Sequence, residues 1–270
     1  MEPTAPRSGG FPTAGSIGKP PLLVFALLFL LFSILPAVSS FAGARHFTYI
    51  YEAPTSAPGG MELENWVTWQ RGTNPSRFDE LDFRHELEFG VTNRFQISVY
   101  LADWNYQQEA KHSGYSYSDS ALELIYNLSN PVADSLGLSI YEEIKGGDRF
   151  FELESKLIVQ KNLGPLIVAY NTTLEAIWEG HGLQQRQGEF QQSLGASYEL
   201  SPRFSVGIEM LHEVVFPEWR DEGKLSNFFI GPNISVRRGR WFATVTALMQ
   251  ATDTPDEPDF QLRTIFGVGL

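Results

Sequence analysis

This chain predicts an all-β fold, a transmembrane up-and-down antiparallel β-barrel of about twelve strands. Three observations predict it. The stretch FDELDFRHELEFG (78–90) places Glu80, Asp82, Arg84, Glu86 and Glu88 on alternate positions, with Leu81, Phe83, Leu87 and Phe89 among the residues between them. A helix, with period 3.6, would smear that pattern around its circumference; a strand has period two and separates a charged face from an apolar one. Next, an apolar run near the N-terminus directs the chain out of the cytoplasm. Finally, the rest of the sequence alternates between strand-like segments and turns rich in Gly, Pro, Asn and Asp, and no stretch keeps a helical period over a useful length.

Taken in order, residues 1–19 are rich in Gly, Pro and Ser and are expected to lack structure. PPLLVFALLFLLFSILPAV (20–38) is a secretory signal core preceded by Arg7 and Lys19, and cleavage is expected after Ala42 or Ala44 by the small-x-small rule. An uncleaved anchor is the alternative, since the run is nearly long enough to span a bilayer. The domain organisation is then a tail plus signal peptide (1–42), an N-terminal periplasmic or plug segment (43–60) and a barrel (61–270). The segment from Arg45 to Gly60 is open to three roles: plug, rim clamp or extra strand.

The strands follow at 61–70, 78–90, 95–104, 120–128, 135–145, 150–160, 166–179, 189–200, 204–216, 226–236, 241–250 and 260–270. Their connections alternate. VTNR, SNPVAD, NLGP, SPR and RRGR are short, whereas most of the others, such as NYQQEAKHSGYSY and GHGLQQRQG, are longer and polar. Short periplasmic turns and longer outside loops are what an up-and-down membrane barrel has, and an even strand count puts both chain ends on the short-turn side.

Polarity decides which face is inside. Aromatics cluster near strand ends: Trp66, Trp69, Trp104, Phe150, Phe151, Trp178, Phe216 and Trp219 on one side, Phe89, Phe95, Phe204, Trp241 and Phe242 on the other. That is the arrangement of two interfacial girdles. The final strand alternates to its end, with Phe260, Leu262, Thr264, Phe266, Val268 and Leu270 on one face. It resembles the C-terminal recognition strand of bacterial outer-membrane proteins, with Leu where those usually end in Phe. FTYIYEAPTSAPGGMELENWVTWQRG together with FDELDFRHELEFGVTNRFQ is similar to an uncharacterised family of bacterial outer-membrane barrel proteins, porin-like and without assigned activity. That resemblance implies the architecture and supplies no site. A secreted soluble β-sandwich is the alternative.

With the apolar face toward lipid, the candidate lumen-lining residues are Glu62, Glu64, Glu80, Asp82, Arg84, Glu86, Glu88, Glu123, Glu152, Glu154, Lys156, Glu175, Glu209, Arg237 and Arg263, joined by Glu143, Lys145, Glu189, Glu199 and Glu213. Charges of the Arg or Lys kind on the lipid side would cost about 2–4 kcal/mol each at the midplane. The formal charge is -12, and loss of residues 1–42 removes Glu2, Arg7 and Lys19, leaving 31 acids against 18 bases. That excess favours water and cations inside. The functional expectation is a narrow porin-like channel for small cationic or neutral solutes. The competing reading is a closed structural or adhesion barrel in which Arg84, Lys156 and Arg263 crosslink carboxylates.

Little else in the chain speaks for chemistry. There is no Cys, hence no disulfide or thiolate site. His46, His85, His112, His181 and His212 show no metal-ligand spacing. His85 and His212 fall on lipid-facing positions, and an outer-membrane lipid hydrolase, with a Ser-His-Asn set, is the weakest alternative. The Asn-x-Ser/Thr triplets at Asn127, Asn171 and Asn233 have no use as glycan acceptors in a bacterial outer membrane. No enzyme activity and no cofactor are expected. An acidic chain without a basic stripe does not bind nucleic acid. The expected partners are outer-membrane lipid, the barrel-assembly machinery acting through the C-terminal strand, and small solutes.

Overall fold

A computed structural model describes residues 43, 45–109 and 113–270. The signal peptide, its cleavage positions and His112 lie outside the described residues. Thirteen strands run in chain order: β1 (Met61–Gly72), β2 (Phe78–Thr92), β3 (Phe95–Glu109), β4 (Ser113–Tyr117), β5 (Asp119–Ser129), β6 (Gly137–Gly147), β7 (Phe150–Leu163), β8 (Leu166–Glu179), β9 (Gln185–Ser201), β10 (Phe204–Pro217), β11 (Leu225–Arg238), β12 (Trp241–Gln250) and β13 (Phe260–Gly269). Each pairs antiparallel with its sequence neighbour, except that β4 and β5 both pair with β3, and β1 pairs with β13 from Glu62↔Gly269 to Arg71↔Phe260, which closes the sheet.

β4 and β5 act as one stave. β3 pairs with β5 over Phe95–Tyr100 and with β4 over Trp104–Gln108, and between them the Ser118 amide donates to the Asp103 carbonyl at 2.8 Å. The barrel is therefore a closed, antiparallel, twelve-stranded one. The long polar loop expected over 105–117 is mostly strand instead. Its residues pair as Tyr106↔Tyr115 and Asn105↔Ser116, extending the hairpin past the point where the hydrophobic pattern stops. Backbone pairing needs no apolar face, so alternation could not reveal it.

The period-two pattern is read out as designed. On β7 the residues Glu152, Glu154, Ile158 and Gln160 are buried in the interior, while Leu153 and Leu157 stand exposed at 40% and 43%. Leu174, Ile140, Ile144 and Phe266 are exposed in the same way on their strands. One register shift changes the parity of a strand. β3 carries an extra residue at Leu101, since Glu86 faces Tyr100 while His85 faces Ala102. Inward positions on β3 are even up to Tyr100 and odd from Asp103 onward. A bulge of this kind re-aims every later side chain, and it brings Asp103 inside to meet Arg84 at 2.8 Å.

Two members of the expected girdles point the other way. Trp66 and Phe242 are 6% and 1% exposed and pack with Ile265 in the interior. Trp178 and Trp219 pack edge-on at 5.4 Å at the long-loop end, and Trp241 stacks on Phe266 at 6.3 Å at the short-turn end. Trp66 and Phe242 lie on inward positions, and a girdle assigned by height alone ignores the face.

Candidate functional site

The short-turn half of the interior is filled by a segment of the chain that precedes the first strand. Residues 45–57 run through the short-turn half of the bore, with Phe47, Ile50 and Ala53 fully buried. This segment has no strand partner over most of its length, so its backbone polar groups need other partners. Side chains of the barrel wall supply them. The amides of Thr48 and Tyr49 donate to the Glu209 carboxylate at 2.9 and 2.7 Å. Those of Ala53 and Ser56 donate to Gln160 and Gln96, each at 2.8 Å. Asn171 works as a strand partner would: its Oδ1 accepts from the Tyr51 amide at 2.6 Å and its Nδ2 donates to the Tyr51 carbonyl at 3.0 Å.

Carbonyls are matched in the same manner. Asn127 and Ser139 donate to the Ala53 carbonyl at 2.7 and 2.6 Å. Asn233 donates to that of His46 at 3.1 Å, and Ser235 and Thr244 donate to that of Arg45 at 2.7 and 2.6 Å. Asn127, Asn171 and Asn233, whose triplets carried no meaning as glycan acceptors, all belong to this set. Beyond the segment, the amide of Gly59 donates to the Gly90 carbonyl at 2.8 Å.

Apolar contacts complete the seat. Phe47 and Ile50 pack on Ile167 and Ala169, and Ala53 packs on Ile125, Tyr141 and Ile158. A Cβ added at Gly195 would come within 2.5 Å of Ile50 and 2.6 Å of Phe47, so only glycine leaves room for these two. At the rim, His46 Nδ1 is 2.8 Å from Glu52 and its Nε2 is 3.4 Å from Glu199. Burial pulls the imidazole pKa down, but the charges and hydrogen bonds of Glu52 and Glu199 outweigh it and hold it above its usual value.

Above the plug lies a cavity of about 310 Å³, floored by Thr48, Tyr49 and Tyr51 and reaching Glu257 and Pro258 of the last long loop. The wall's cations stack on the plug's aromatic rings: Arg263 lies 3.9 Å from the Tyr49 ring centre and Lys156 4.4 Å from that of Tyr51. Arg84, Lys145, Lys156 and Arg263 line this cavity beside Glu154, Glu175, Glu213 and Glu257, so its charges balance.

The sequence-named residues divide between these two zones. Glu62, Glu64, Glu86, Glu88, Glu123 and Glu209 are buried in the short-turn half around the plug. Glu62 accepts from the Gly43 amide at 2.8 Å, Glu88 from Ser56 at 2.9 Å, and Glu123 from Tyr51 at 3.0 Å. Glu80 and Asp82 sit higher, accepting from Asn105 and Gln70 at 3.2 and 3.1 Å. Glu152 meets Lys145 at 2.7 Å, Lys156 meets Glu154 at 2.6 Å, and Glu175 lies opposite Glu189. Arg263 donates to Thr68 at 2.9 Å. Arg237 is 40% exposed at the short-turn rim, near Glu199, rather than within the bore.

Sequence reasoning missed the apolar residues of the polar face. Ile125, Ile158, Ile167, Leu211, Phe229, Phe242, Leu248 and Ile265 all point inward and are buried. A water-filled bore does not need them; the signal was a broken alternation on the lumen side, matched by Phe47, Ile50 and Ala53 spaced along residues 45–57. The outward histidines are satisfied across strands, His85 by Asn65 at 2.9 Å and His212 by Ser226 at 3.0 Å. The His212–Ser226 contact is half of a hydrolase set, and no acceptor orients His212 Nδ1 among the described residues.

The family model described as "Family of unknown function (DUF6662)" matches residues 39–257, and the chain belongs to that family. Among curated proteins none matches the sequence. Among solved structures, the NanC porin is similar at a TM-score of 0.54 and 8% identity, over 77% of this chain and 100% of that one. A KdgM porin in complex with disordered oligogalacturonate aligns at 0.46 and 10%, over 76% and 97%. OmpT of Vibrio cholerae aligns at 0.42 and 7%, over 84% and 100%. The NanC likeness shows the fold: a porin-like barrel of the outer-membrane type.

Proposed function

We propose that this member of the family is an outer-membrane barrel that admits small polar solutes, cationic or neutral, to a chamber on the long-loop side. Passage onward requires residues 45–57 to leave the bore. The single observation carrying this reading is the segment's hydrogen bonding: the amides of Thr48, Tyr49, Tyr51, Ala53 and Ser56 all end on side chains of the wall. Polar, water-compatible wall side chains are what a displaceable plug needs, because the same groups can be solvated once it leaves.

The charge distribution supports a cation preference that depends on the plug. The chamber lining is balanced, whereas the plugged half holds Glu62, Glu64, Glu86, Glu88, Glu123 and Glu209, and the plug brings one base to them, Arg45 on Glu64 at 2.9 Å. Displacing the plug removes that base and leaves an acidic bore, which attracts cations. The outward band and girdles would contact outer-membrane lipid, and the alternating C-terminal strand would be read by the barrel-assembly machinery. The closed structural barrel is the second reading, favoured by Lys145, which reaches Glu143, Glu152 and Glu154 at 2.9, 2.7 and 3.7 Å.

Planar-bilayer conductance of the chain from Arg45 onward, compared with a chain lacking residues 45–57, tests the proposal. The intact barrel should be mostly silent at low voltage, and the shortened one should give discrete, cation-selective steps. Steady conductance of the intact barrel would refute the plug. Silence of a folded, inserted, shortened barrel would leave the structural reading.

A further inference from the structure

We infer that Glu64, Glu86 and Glu88 form a binding site for a hard divalent cation, of the calcium class, on the inner wall where β1 and β2 meet the plug. Each carboxylate supplies an oxygen, and these oxygens lie within 4.8 Å of one another. That is the span reached by ligands placed about 2.4 Å from a shared calcium ion. Glu64 and Glu86 are directly cross-strand neighbours, as are Glu62 and Glu88, so the β1–β2 register itself creates the cluster.

The second observation is Glu86. It is fully buried, and neither of its carboxylate oxygens has a hydrogen-bond partner among the described residues. A buried carboxylate without partners is costly unless a proton, a water or an ion meets it, and two further carboxylates within reach favour the ion. Its neighbours are only partly engaged. Glu64 takes Arg45 at 2.9 Å and Trp66 Nε1 at 2.8 Å on one oxygen, and Glu88 takes Ser56 at 2.9 Å on one oxygen. Three carboxylates thus face a single guanidinium, and a divalent ion brings the cluster to neutrality.

The barrel contains its own comparison. Glu143, Glu152 and Glu154 form an equally tight buried trio, but Lys145 sits among them and Lys156 holds Glu154 at 2.6 Å. There an ammonium already occupies the position of the ion. All-oxygen donors favour a hard cation over zinc or copper, and calcium tolerates irregular geometry where magnesium demands an octahedron. Since Arg45 and Ser56 belong to the plug, ion binding and plug seating share ligands and are thermodynamically linked.

The test is calorimetric titration of calcium chloride into the folded barrel after chelator treatment, which is independent of conductance. One saturable ion per chain is expected. Glu86→Gln should weaken binding roughly tenfold or more, while Glu152→Gln leaves it unchanged. If Glu86→Gln does not refold, Glu88→Gln carries the same expectation. No saturable uptake by the native chain would overturn the site, as would uptake that survives the substitution, or loss of equal size in Glu152→Gln.

Discussion

Replacing Glu209 by Gln should unseat the plug while leaving the barrel closed. Glu209 is fully buried on β10 and receives four donors: the Thr48 amide at 2.9 Å, the Tyr49 amide at 2.7 Å, Asn233 Nδ2 at 2.8 Å and Thr246 Oγ1 at 2.5 Å. Every donor points at it, and an amide side chain offers only one accepting atom. The least harmful orientation keeps oxygen toward Thr48, Asn233 and Thr246 and turns the NH2 against the Tyr49 N–H. One charge-assisted bond of about 1.5–3 kcal/mol is lost, and a buried N–H faces another donor. About 3 kcal/mol against plug seating corresponds to roughly a hundredfold shift toward the open form. The partners are two plug amides and two wall side chains, so the loss falls on docking more than on strand pairing. Amide hydrogen exchange reads this directly: protection of Thr48 and Tyr49 should fall roughly a hundredfold, while that of Ile158 and Thr244 stays as it was. Unchanged protection at Thr48 and Tyr49 in a folded variant would refute the reasoning that Glu209 holds the segment.

Three further outcomes follow from the same geometry. Because the folded imidazole of His46 has a raised pKa, its contribution to plug seating is complete below the unfolded value of about 6.5 and is lost as pH rises through the folded value; plug-amide exchange should therefore quicken with rising pH beyond its intrinsic dependence, and His46→Gln should flatten that excess. Gly195→Leu should expel Phe47 and Ile50 from their seat and raise bilayer conductance with an unchanged strand content by circular dichroism, whereas Gly146→Leu, on an exposed position with open space around it, should leave conductance alone. Lys145→Met removes the ammonium shared by Glu143, Glu152 and Glu154 and should lower barrel stability in urea by about 3–5 kcal/mol, the cost of leaving a buried charge uncompensated; a loss under about 1 kcal/mol would mean that water already screens the trio.

Strand period, turn chemistry and the direction of each face were legible in the chain. From Glu80 to Glu88 the alternation separates the carboxylates from Leu81 and Phe83, because the pleat permits no other arrangement, and the cost of charge in lipid then puts the carboxylates inside. The acids of Glu62, Glu64, Glu86 and Glu88 were likewise readable as inner-wall residues. What they touch was not. Hairpin alternation is local, and it is satisfied whether the bore holds water or protein. The bulge at Leu101 has no hydrophobic signature, yet it decides that Asp103 rather than Ala102 meets Arg84. That Asn127, Asn171 and Asn233 grip the backbone of residues 46–53 depends on partners 74 to 187 positions away in the chain. Sequence by itself determined a twelve-stave barrel with an acidic interior, because strand patterning is imposed by neighbours two residues apart. Only the tertiary structure decided that the acids and amides of that interior are spent on a peptide segment, because hydrogen bonds across a closed barrel are made between residues that no period connects.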